Sequence, residues 1–571
     1  MSSSSAAPAA AATTPALAAA SAVPQETPLP ILAPKPPAKI DSMGPHNNMV
    51  DALLTDLYQI TMAYAYWKSG RHNDDSVFEL FFRKNPFEGE FTVFAGLDDV
   101  LRFVNTFGFS AEDCANLAER FPTWDKAFWG YLQSLSAKDI KLYAIKEGSI
   151  VFPRIPLLRV EGPIAICQLM ETTLLVLCNY ASLLTTNAAR HRLAVGPSKT
   201  LLEFGMRRAQ GPDGAMSASR YSYMGGFDGT SNVKAAIMFS LAMSGTHAHS
   251  FVAAFSSLSE VSVSTLEHAQ TGEKVEFLAK VLDYRAKLNR PNTNSGELAA
   301  FVSYAQAFPT AFLALIDTYD TLQSGLWNFL AVSLALNDLG YKPRGLRLDS
   351  GDLAYLSRRC RAAFVDVSAQ FGVAFEKLTI VASNDLSEKI LWALKEQGHE
   401  IDSFGIGTNL VTCSIQPALG GVYKLVEVNG NARMKISQDH AKVTIPGRKA
   451  AFRLFCQMGQ PILDYMQHAS AAPPQAGDRV LCRHPFDANK RVYVTPSRVE
   501  PLHDLVWDGA LTAPLEDLDV RRARVTQQLT DIREDYLRRI NPTPYKISLS
   551  PELFTYMHDL WLHESPIVEI N

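Results

Sequence analysis

Gly345-Leu-Arg-Leu-Asp-Ser-Gly-Asp352 is a short apolar run, broken only by Arg347, that ends in acids, a hydroxyl and a glycine. The same grammar recurs along the chain. Ala311–Ile316 ends in Asp317-Thr-Tyr-Asp320, Leu378–Ala382 ends in Ser383-Asn-Asp385, and Asp402–Phe404 ends in Gly405-Ile-Gly-Thr408. Roughly 25–35 residues separate these runs, and helix-like segments lie between most of them, which is the pattern of a βα repeat. In such repeats, and above all in barrels, the strand ends and the loops after them build the active site. Asp317, Asp320, Asp349, Asp352, Asn384 and Asp385 are therefore expected to converge on one mouth. Helix N-caps favour the same residue types, so each acid taken alone is explained equally well as a cap. Four successive strand ends of this kind favour a site.

Working outward, an apolar helix over Gln168–His191 leads into the strand Thr200–Phe204, followed by Gly205-Met-Arg207-Arg208. An aromatic ring and two guanidiniums at a strand end suit a flat anionic ligand through stacking and bidentate pairing. Arg347 is placed on its strand, where an unpaired guanidinium is costly, so it is either a ligand clamp or the partner of an acid such as Asp349. Gly405-Ile-Gly407-Thr408 offers backbone N–H groups and a hydroxyl at a helix start, a phosphate cradle. Between these lies Gly245-Thr-His-Ala-His-Ser250, after a helix-like stretch at Val233–Ser244. Two histidines spaced by one residue suit a metal site, or one imidazole serves as base or nucleophile while the hydroxyls hold substrate.

Before this repeat, residues 49–165 read as a mixed α+β region: a helix from Leu53 to Ala63, a strand at Ser76–Arg83, helices at Phe94–Phe107 and Ala111–Phe121, and short strands at Ile140–Ile145, Ser149–Phe152 and Leu157–Glu161. Residues 166–448 carry the α/β repeat. Residues 449–571 read as helices and small strands completing the first domain. Residues 1–48 are an Ala, Ser and Pro-rich arm that cannot bury enough apolar area to offset its ordering entropy, and are expected to be disordered.

With 571 residues, 47% of them hydrophobic and 20% charged, the chain can bury a substantial core. Its formal net charge of −4 and the lack of a long basic run give no electrostatic support for sequence-independent nucleic-acid binding, so small molecules are the expected partners. The 7 cysteines include no CxxC pair, which points to free thiols in a reducing compartment, with neither a disulfide framework nor a structural zinc site. The arm has no bulky apolar core and its first arginine is Arg71, so neither a secretory nor a transit signal is read and the default is the cytoplasm. Ile164–Leu184, interrupted by Gln168, Glu171 and Asn179, reads as a buried helix and not a membrane span.

Asp56-Leu-Tyr58-Gln59, Thr186-Asn-Ala-Ala-Arg190, Glu203-Phe-Gly-Met-Arg-Arg208, Gly225-Gly-Phe-Asp-Gly-Thr-Ser-Asn232, Thr246-His-Ala-His-Ser250, Asp317-Thr-Tyr-Asp320, Arg347-Leu-Asp-Ser-Gly-Asp352 and Gly405-Ile-Gly-Thr408 stand in one order. From about Val50 to the C-terminus the chain resembles the nicotinate phosphoribosyltransferases. The resemblance implies an irregular (β/α) barrel of the type II phosphoribosyltransferases packed on a mixed α+β domain formed from N- and C-terminal segments. It implies ATP-coupled conversion of nicotinate and phosphoribosyl pyrophosphate to nicotinate mononucleotide and pyrophosphate, with magnesium, or manganese in its place. A homodimer with sites at the subunit interface follows from it too.

By position, the resemblance makes His249 the histidine that ATP phosphorylates, with Asp317 or Asp349 orienting its imidazole. Tyr58, from the other subunit, and Phe204 would flank the pyridine ring. Arg207, Thr246 and Arg347 would hold the carboxylate or ring edge; Asn384, Gly407 and Thr408 the phosphoribosyl group; Arg83 and Lys84 phosphate across the dimer. The resemblance names no magnesium ligands. The related nicotinamide phosphoribosyltransferases carry aspartate where Ser231 stands. A serine donates to a carboxylate without the repulsion an aspartate brings, which favours nicotinate. Nicotinamide phosphoribosyltransferase is the alternative within the class, and a zinc amidohydrolase built on His247 and His249 the alternative outside it. Against the latter, Asp317–Asp320 and Arg347–Asp352 contain no histidine, and His247 reads best as a surface or supporting residue. Cys482-Arg-His484 reads as an ordinary loop, and Arg521-Arg-Ala-Arg524 with Ile532–Arg539 as a solvated helix face.

Overall fold

Six parallel strands carry the expected repeat. In a computed structural model describing residues 43–437 and 442–565, they stand in the order Leu313–Leu315, Gly345–Leu348, Thr379–Ala382, Ser403–Ile406, Thr200–Glu203 and Gly229–Thr230. Nearly every side chain on them is buried, because helices such as Leu326–Asp338 and Leu353–Phe371 cover the sheet. Leu202, Leu313 and Val381 pack together with Phe204 against them, although Leu202 and Leu313 stand on the fifth and first strands of the order. The sheet is therefore strongly curled. Past its last strand, Thr230 bridges Met243 in parallel, and past its first, the Leu315 N–H donates to His247 Nε2 at 3.3 Å.

A second six-stranded sheet is antiparallel and runs Asn431–Ala432, Gly421–Val428, Asp75–Phe82, Leu158–Pro163, Lys141–Ala144 and Asp504–Asp508. The residues at 421–432, expected with the barrel, thus join the first region: Gly421–Val428 has an apolar face whose Tyr423 stacks on Phe78, ring centroids 5.0 Å apart. The segment after Lys449 likewise differs from its reading as small closing strands. It builds a third six-stranded sheet, Arg491–Val494, Val480–Arg483, Lys546–Leu549, Pro461–His468, Lys449–Phe455 and Arg498–Pro501, over its own apolar cluster of Phe452, Leu454, Leu463 and Tyr465. Among the described residues of this segment, only Asp504–Asp508 returns to the first domain's sheet.

Of the arm, residues 1–42 lie outside the described residues, and Met43–Asn48 are ordered against the fold. His46 Nδ1 is 2.9 Å from Asp99, the Arg102 guanidinium donates to Gly44 O at 3.4 Å, and the Asn47 amide donates to Asp213 at 2.8 Å. Arg521 is also not a solvated residue. It is buried, 3.2 Å from Asp98 and 3.1 Å from Glu147, while Arg522 pairs with Asp228 at 2.9 Å. Acids distant in sequence, which no local spacing reveals, turn this helical face inward. Among the described residues no helix is long and apolar enough to cross a membrane; Ile164–Leu169 and much of Glu171–Val195 are buried in the core instead. A cavity of about 370 Å³, lined by Lys199, Lys395 and His399 among others, opens near the N-terminal end of Thr200–Glu203, away from the strand ends described next.

Candidate active site

His249 begins the short helix His249–Ala253, which follows the Gly229–Thr230 strand, the helix Val233–Met238 and a non-helical stretch through Met243. Its ring is partly exposed. Nδ1 lies 3.1 Å from Thr318 Oγ1, and Nε2 lies 3.5 Å from Asp349 and 3.9 Å from Asp317. The parallel sheet places both acids: Asp317 follows Leu313–Leu315, Asp349 follows Gly345–Leu348, and these strands are neighbours. Asp317 Oδ2 accepts the Asp349 N–H at 3.1 Å and the Ser350 hydroxyl, while Asp317 Oδ1 is buried and without a hydrogen-bond partner among the described residues. Asp317 is thus fixed from one side with its free oxygen toward the imidazole.

Arg347 is clamped. Its Nε donates to Ser383 Oγ at 2.9 Å, Nη1 to Thr246 Oγ1 at 3.2 Å, and Nη2 to Asp349 Oδ1 at 3.4 Å; the Ser383 hydroxyl also donates to Asp349. Of the two alternatives that the sequence left open, the pairing with an acid is present, since this guanidinium meets Asp349; it also borders the Phe204 ring, 5.8 Å from its centroid. Phe204 lies against Gly405, where a Cβ would come within 2.3 Å of the ring, so only glycine admits the aromatic face there. Arg207 is exposed on the turn Met206–Arg208, and its side chain has no ion pair or hydrogen bond among the described residues.

Glu203 has a role that its motif alone does not disclose. It is wholly buried and accepts from the Gly205 N–H, from Ser219 Oγ at 2.8 Å and from Thr230 Oγ1 at 2.5 Å. It thereby joins the loop carrying Phe204 and Arg207 to the strand before Ser231, whose own N–H donates to Glu203 O at 3.0 Å. A single acid inside the apolar run Leu201-Leu-Glu203-Phe was the available signal. Thr318 and Ser383 gave weaker ones, as hydroxyls beside strand ends.

Asn384 and Asp385 are exposed after Thr379–Ala382 with φ of 91° and 42°, left-handed backbone that these short polar side chains tolerate. Gly407 precedes the short helix Thr408–Thr412, with Thr408 exposed at its first position. Not every candidate joins the group. Tyr58 is 47% exposed on the helix Leu57–Lys68, near Glu171 and Thr172, with no ring contact to Phe204 among the described residues. Arg83 and Lys84 follow Asp75–Phe82 in the antiparallel sheet, and Arg83 Nε is buried without a partner among the described residues.

Of the two readings of His247, surface or supporting residue, its burial leaves the supporting one. It is buried against Phe251 and Tyr304, with Nε2 occupied by the Leu315 N–H. Its Nδ1 has no hydrogen-bond partner among the described residues. Burial, with the nearby charge of Arg347, pushes its pKa down to about 4. The acids and histidine that do cluster within metal-binding reach of one another, His46, Asp98 and Asp99, lie elsewhere and are saturated by Arg220, Arg102 and Arg521. Cys482 is buried in the strand Val480–Arg483, not in a loop.

Cations, hydroxyls and acids collected at the C-terminal ends of parallel strands define an α/β protein fitted to small anionic substrates. The sequence matches the nicotinate phosphoribosyltransferase (NAPRTase) N-terminal domain over residues 53–179, the nicotinate phosphoribosyltransferase (NAPRTase) family over residues 200–469 and the nicotinate phosphoribosyltransferase C-terminal domain over residues 448–557. It is 54% identical to a nicotinate phosphoribosyltransferase of Dictyostelium discoideum, covering 93% of this chain and 92% of that one, and 46% identical to that of Homo sapiens, covering 90% and 97%. The crystal structure of human nicotinic acid phosphoribosyltransferase superposes with a TM-score of 0.81 at 44% identity, over 89% of this chain and 99% of the other. The chain belongs to the nicotinate phosphoribosyltransferase family.

Proposed function

We propose that this protein converts nicotinate and phosphoribosyl pyrophosphate to nicotinate mononucleotide and pyrophosphate, coupled to ATP hydrolysis, as the first step of NAD salvage from nicotinate. The observation that carries the reading is the seat of His249, with a hydroxyl on one ring nitrogen and two carboxylates facing the other. With Nε2–H held toward Asp317 and Asp349, the Nδ1 lone pair attacks the γ-phosphorus of ATP once the Thr318 hydroxyl turns from it to another acceptor; the P–O bond to ADP breaks and ADP departs. A phosphohistidine beside the pyrophosphate site would alter substrate binding and product release, linking ATP cleavage to synthesis.

Nicotinate would lie on Phe204, its carboxylate held by Arg347, Arg207 and Thr246 and met by the Ser231 hydroxyl. Asn384, Gly407 and Thr408 would hold the phosphoribosyl group. As the ribose C1–O bond to pyrophosphate breaks, with oxocarbenium character, the pyridine nitrogen forms the new bond, so positioning contributes most. Magnesium, or manganese, would neutralise the polyphosphate oxygens, and the partnerless Asp317 Oδ1 and nearby Asp349 are suitable hard donors at that place.

The curl that brings Leu202 to Leu313 supports closure of the parallel sheet into an irregular barrel, with residues 243–247 filling the gap. A homodimer is supported by the exposed apolar side chains Met49, Leu53, Leu57, Tyr58 and Met62 at one end of the chain, which a second copy would cover. There Tyr58 of the partner subunit would face Phe204, and Arg83 and Lys84 would reach phosphate. The place of action is the cytoplasm. Incubation with ATP followed by mapping of acid-labile phosphate tests the mechanism. Label at His249, lost in His249→Ala, supports it; full ATP-coupled activity with an unlabelled His249 refutes it.

A further inference from the structure

Glu297 lies in the first turn of the helix Ser295–Ala307 and is fully buried. Its Oε2 accepts from Ser324 Oγ at 2.6 Å and from Asn328 Nδ2 at 2.9 Å, while Oε1 has no hydrogen-bond partner among the described residues. Asn294 closes the knot: its side chain caps the Glu297 N–H at 2.8 Å, its own N–H donates to Ser324 Oγ at 2.9 Å, and its carbonyl accepts from Asn328 at 3.0 Å. Ser324 belongs to a π-helical turn, Thr321–Gly325, of the kind that tends to mark functional sites.

The knot touches both sides of the histidine site. That turn begins three residues after Thr318, on the segment whose Asp317 and Thr318 face the ring nitrogens of His249, and Gly325 is pressed on Ile316, where a Cβ would sit 1.9 Å from the carbonyl oxygen. On the other side Gly296 is pressed on Phe255, just past the helix His249–Ala253, where a Cβ would sit 2.2 Å from the carbonyl oxygen. The start of one helix therefore sets the distance between His249 and its two partners. Burial pushes the Glu297 carboxyl up to about 7, helped by the charges of Asp317 and Asp320. Such a residue is an expensive choice for a core position unless its acceptor oxygen is needed.

We propose that Glu297 is a positioning residue for phosphoryl transfer: it holds the 317–325 segment so that Asp317 and Thr318 face the His249 imidazole. This rests on the phosphohistidine reading above. The test compares purified Glu297→Ala and Glu297→Gln with the natural chain, measuring label on His249 from ATP and steady-state formation of nicotinate mononucleotide. Glu297→Ala is expected to lower the labelling rate and kcat at least tenfold with the KM for nicotinate within twofold. Glu297→Gln, which keeps an oxygen for Ser324 and Asn328, is expected to return both to within threefold. Ser324→Ala removes the tie to the 321–325 turn without touching the acid or its bond to Asn328, and gives a split in the same direction if Glu297→Ala does not fold. Loss of kcat and nicotinate binding together in all variants, or no loss in any, overturns the proposal. A natural chain that makes product with no label on His249 overturns the phosphohistidine reading instead.

Discussion

Replacing Arg347 by lysine tests the centre of the proposed nicotinate site. The guanidinium spans three side chains at once: Ser383 at 2.9 Å, Thr246 at 3.2 Å and Asp349 at 3.4 Å. A lysine ammonium is a point charge on a flexible stem and cannot meet all three while also presenting a planar edge to a carboxylate. Keeping the charge but losing the two parallel hydrogen bonds that a guanidinium edge offers a substrate carboxylate, at about 1 to 1.5 kcal/mol each, costs about 2 to 3 kcal/mol of binding in the transition state. At 1.36 kcal/mol per tenfold, that is a fall in kcat/KM for nicotinate of roughly 30- to 160-fold. The side chain is 16% exposed and Asp349 keeps the Ser383 hydroxyl, so little loss of folding stability is expected. Steady-state assays at saturating ATP and phosphoribosyl pyrophosphate, beside a thermal melt, separate the two effects. A folded Arg347→Lys protein with kcat/KM within threefold of the natural chain would falsify the assignment of Arg347 as the carboxylate clamp.

Three further outcomes follow from other parts of the molecule. Ser231→Asp places a carboxylate where a nicotinate carboxylate is to be met; two like charges about 4 Å apart repel by about 4 kcal/mol at an effective dielectric of 20, so nicotinate kcat/KM should drop by two orders of magnitude or more while nicotinamide is less affected. Equal effects on both pyridines would remove Ser231 from the specificity argument. Arg521→Ala strands Asp98 and Glu147 in the interior. Because Asp98 keeps Arg220 and Arg102, the loss should be about 3 kcal/mol, the lower end for a broken buried pair, read as an earlier denaturant midpoint. His247 and His503 are both pushed by burial to about 4 from an unfolded value near 6.5, so each stays neutral in the folded state while the unfolded chain takes up protons. Their contribution to stability is complete above about pH 6.5 and is lost as pH falls toward 4, by about 1.4 kcal/mol per histidine per pH unit. Denaturation at stepped pH should show this slope, and His247→Gln, which still accepts the Leu315 N–H, should make it shallower; an unchanged slope would count against the assignment.

Much of the parallel sheet was legible because its strands are short buried runs closed by turn residues. Gly345–Leu348 was delimited to the residue, and Thr379–Ala382 nearly so. The acids at the strand ends turned out to divide between the two readings offered for them. Asp320 and Asp352 cap helices, accepting from Gln323 N–H at 2.7 Å and Tyr355 N–H at 2.9 Å, whereas Asp317 and Asp349 face His249. Both segments read Asp-x-x-Asp, the first acid facing His249 and the second capping the next helix, and residue type alone did not say which acid does which. Arg521 failed for a related reason: helical spacing of charges describes a face but not what covers it.

By itself the sequence determined where five of the six parallel strands lie, and that acids, hydroxyls and arginines gather at their ends, because side-chain pattern and turn chemistry act over a few residues. Only the tertiary structure decided that Gly421–Val428 crosses back to pair with Asp75–Phe82, that His247 is a core residue while His249 faces two acids, and that Glu203 and Glu297 are buried anchors. Those outcomes depend on groups dozens to hundreds of residues apart finding one another, and a buried carboxylate is stable only where such partners meet it.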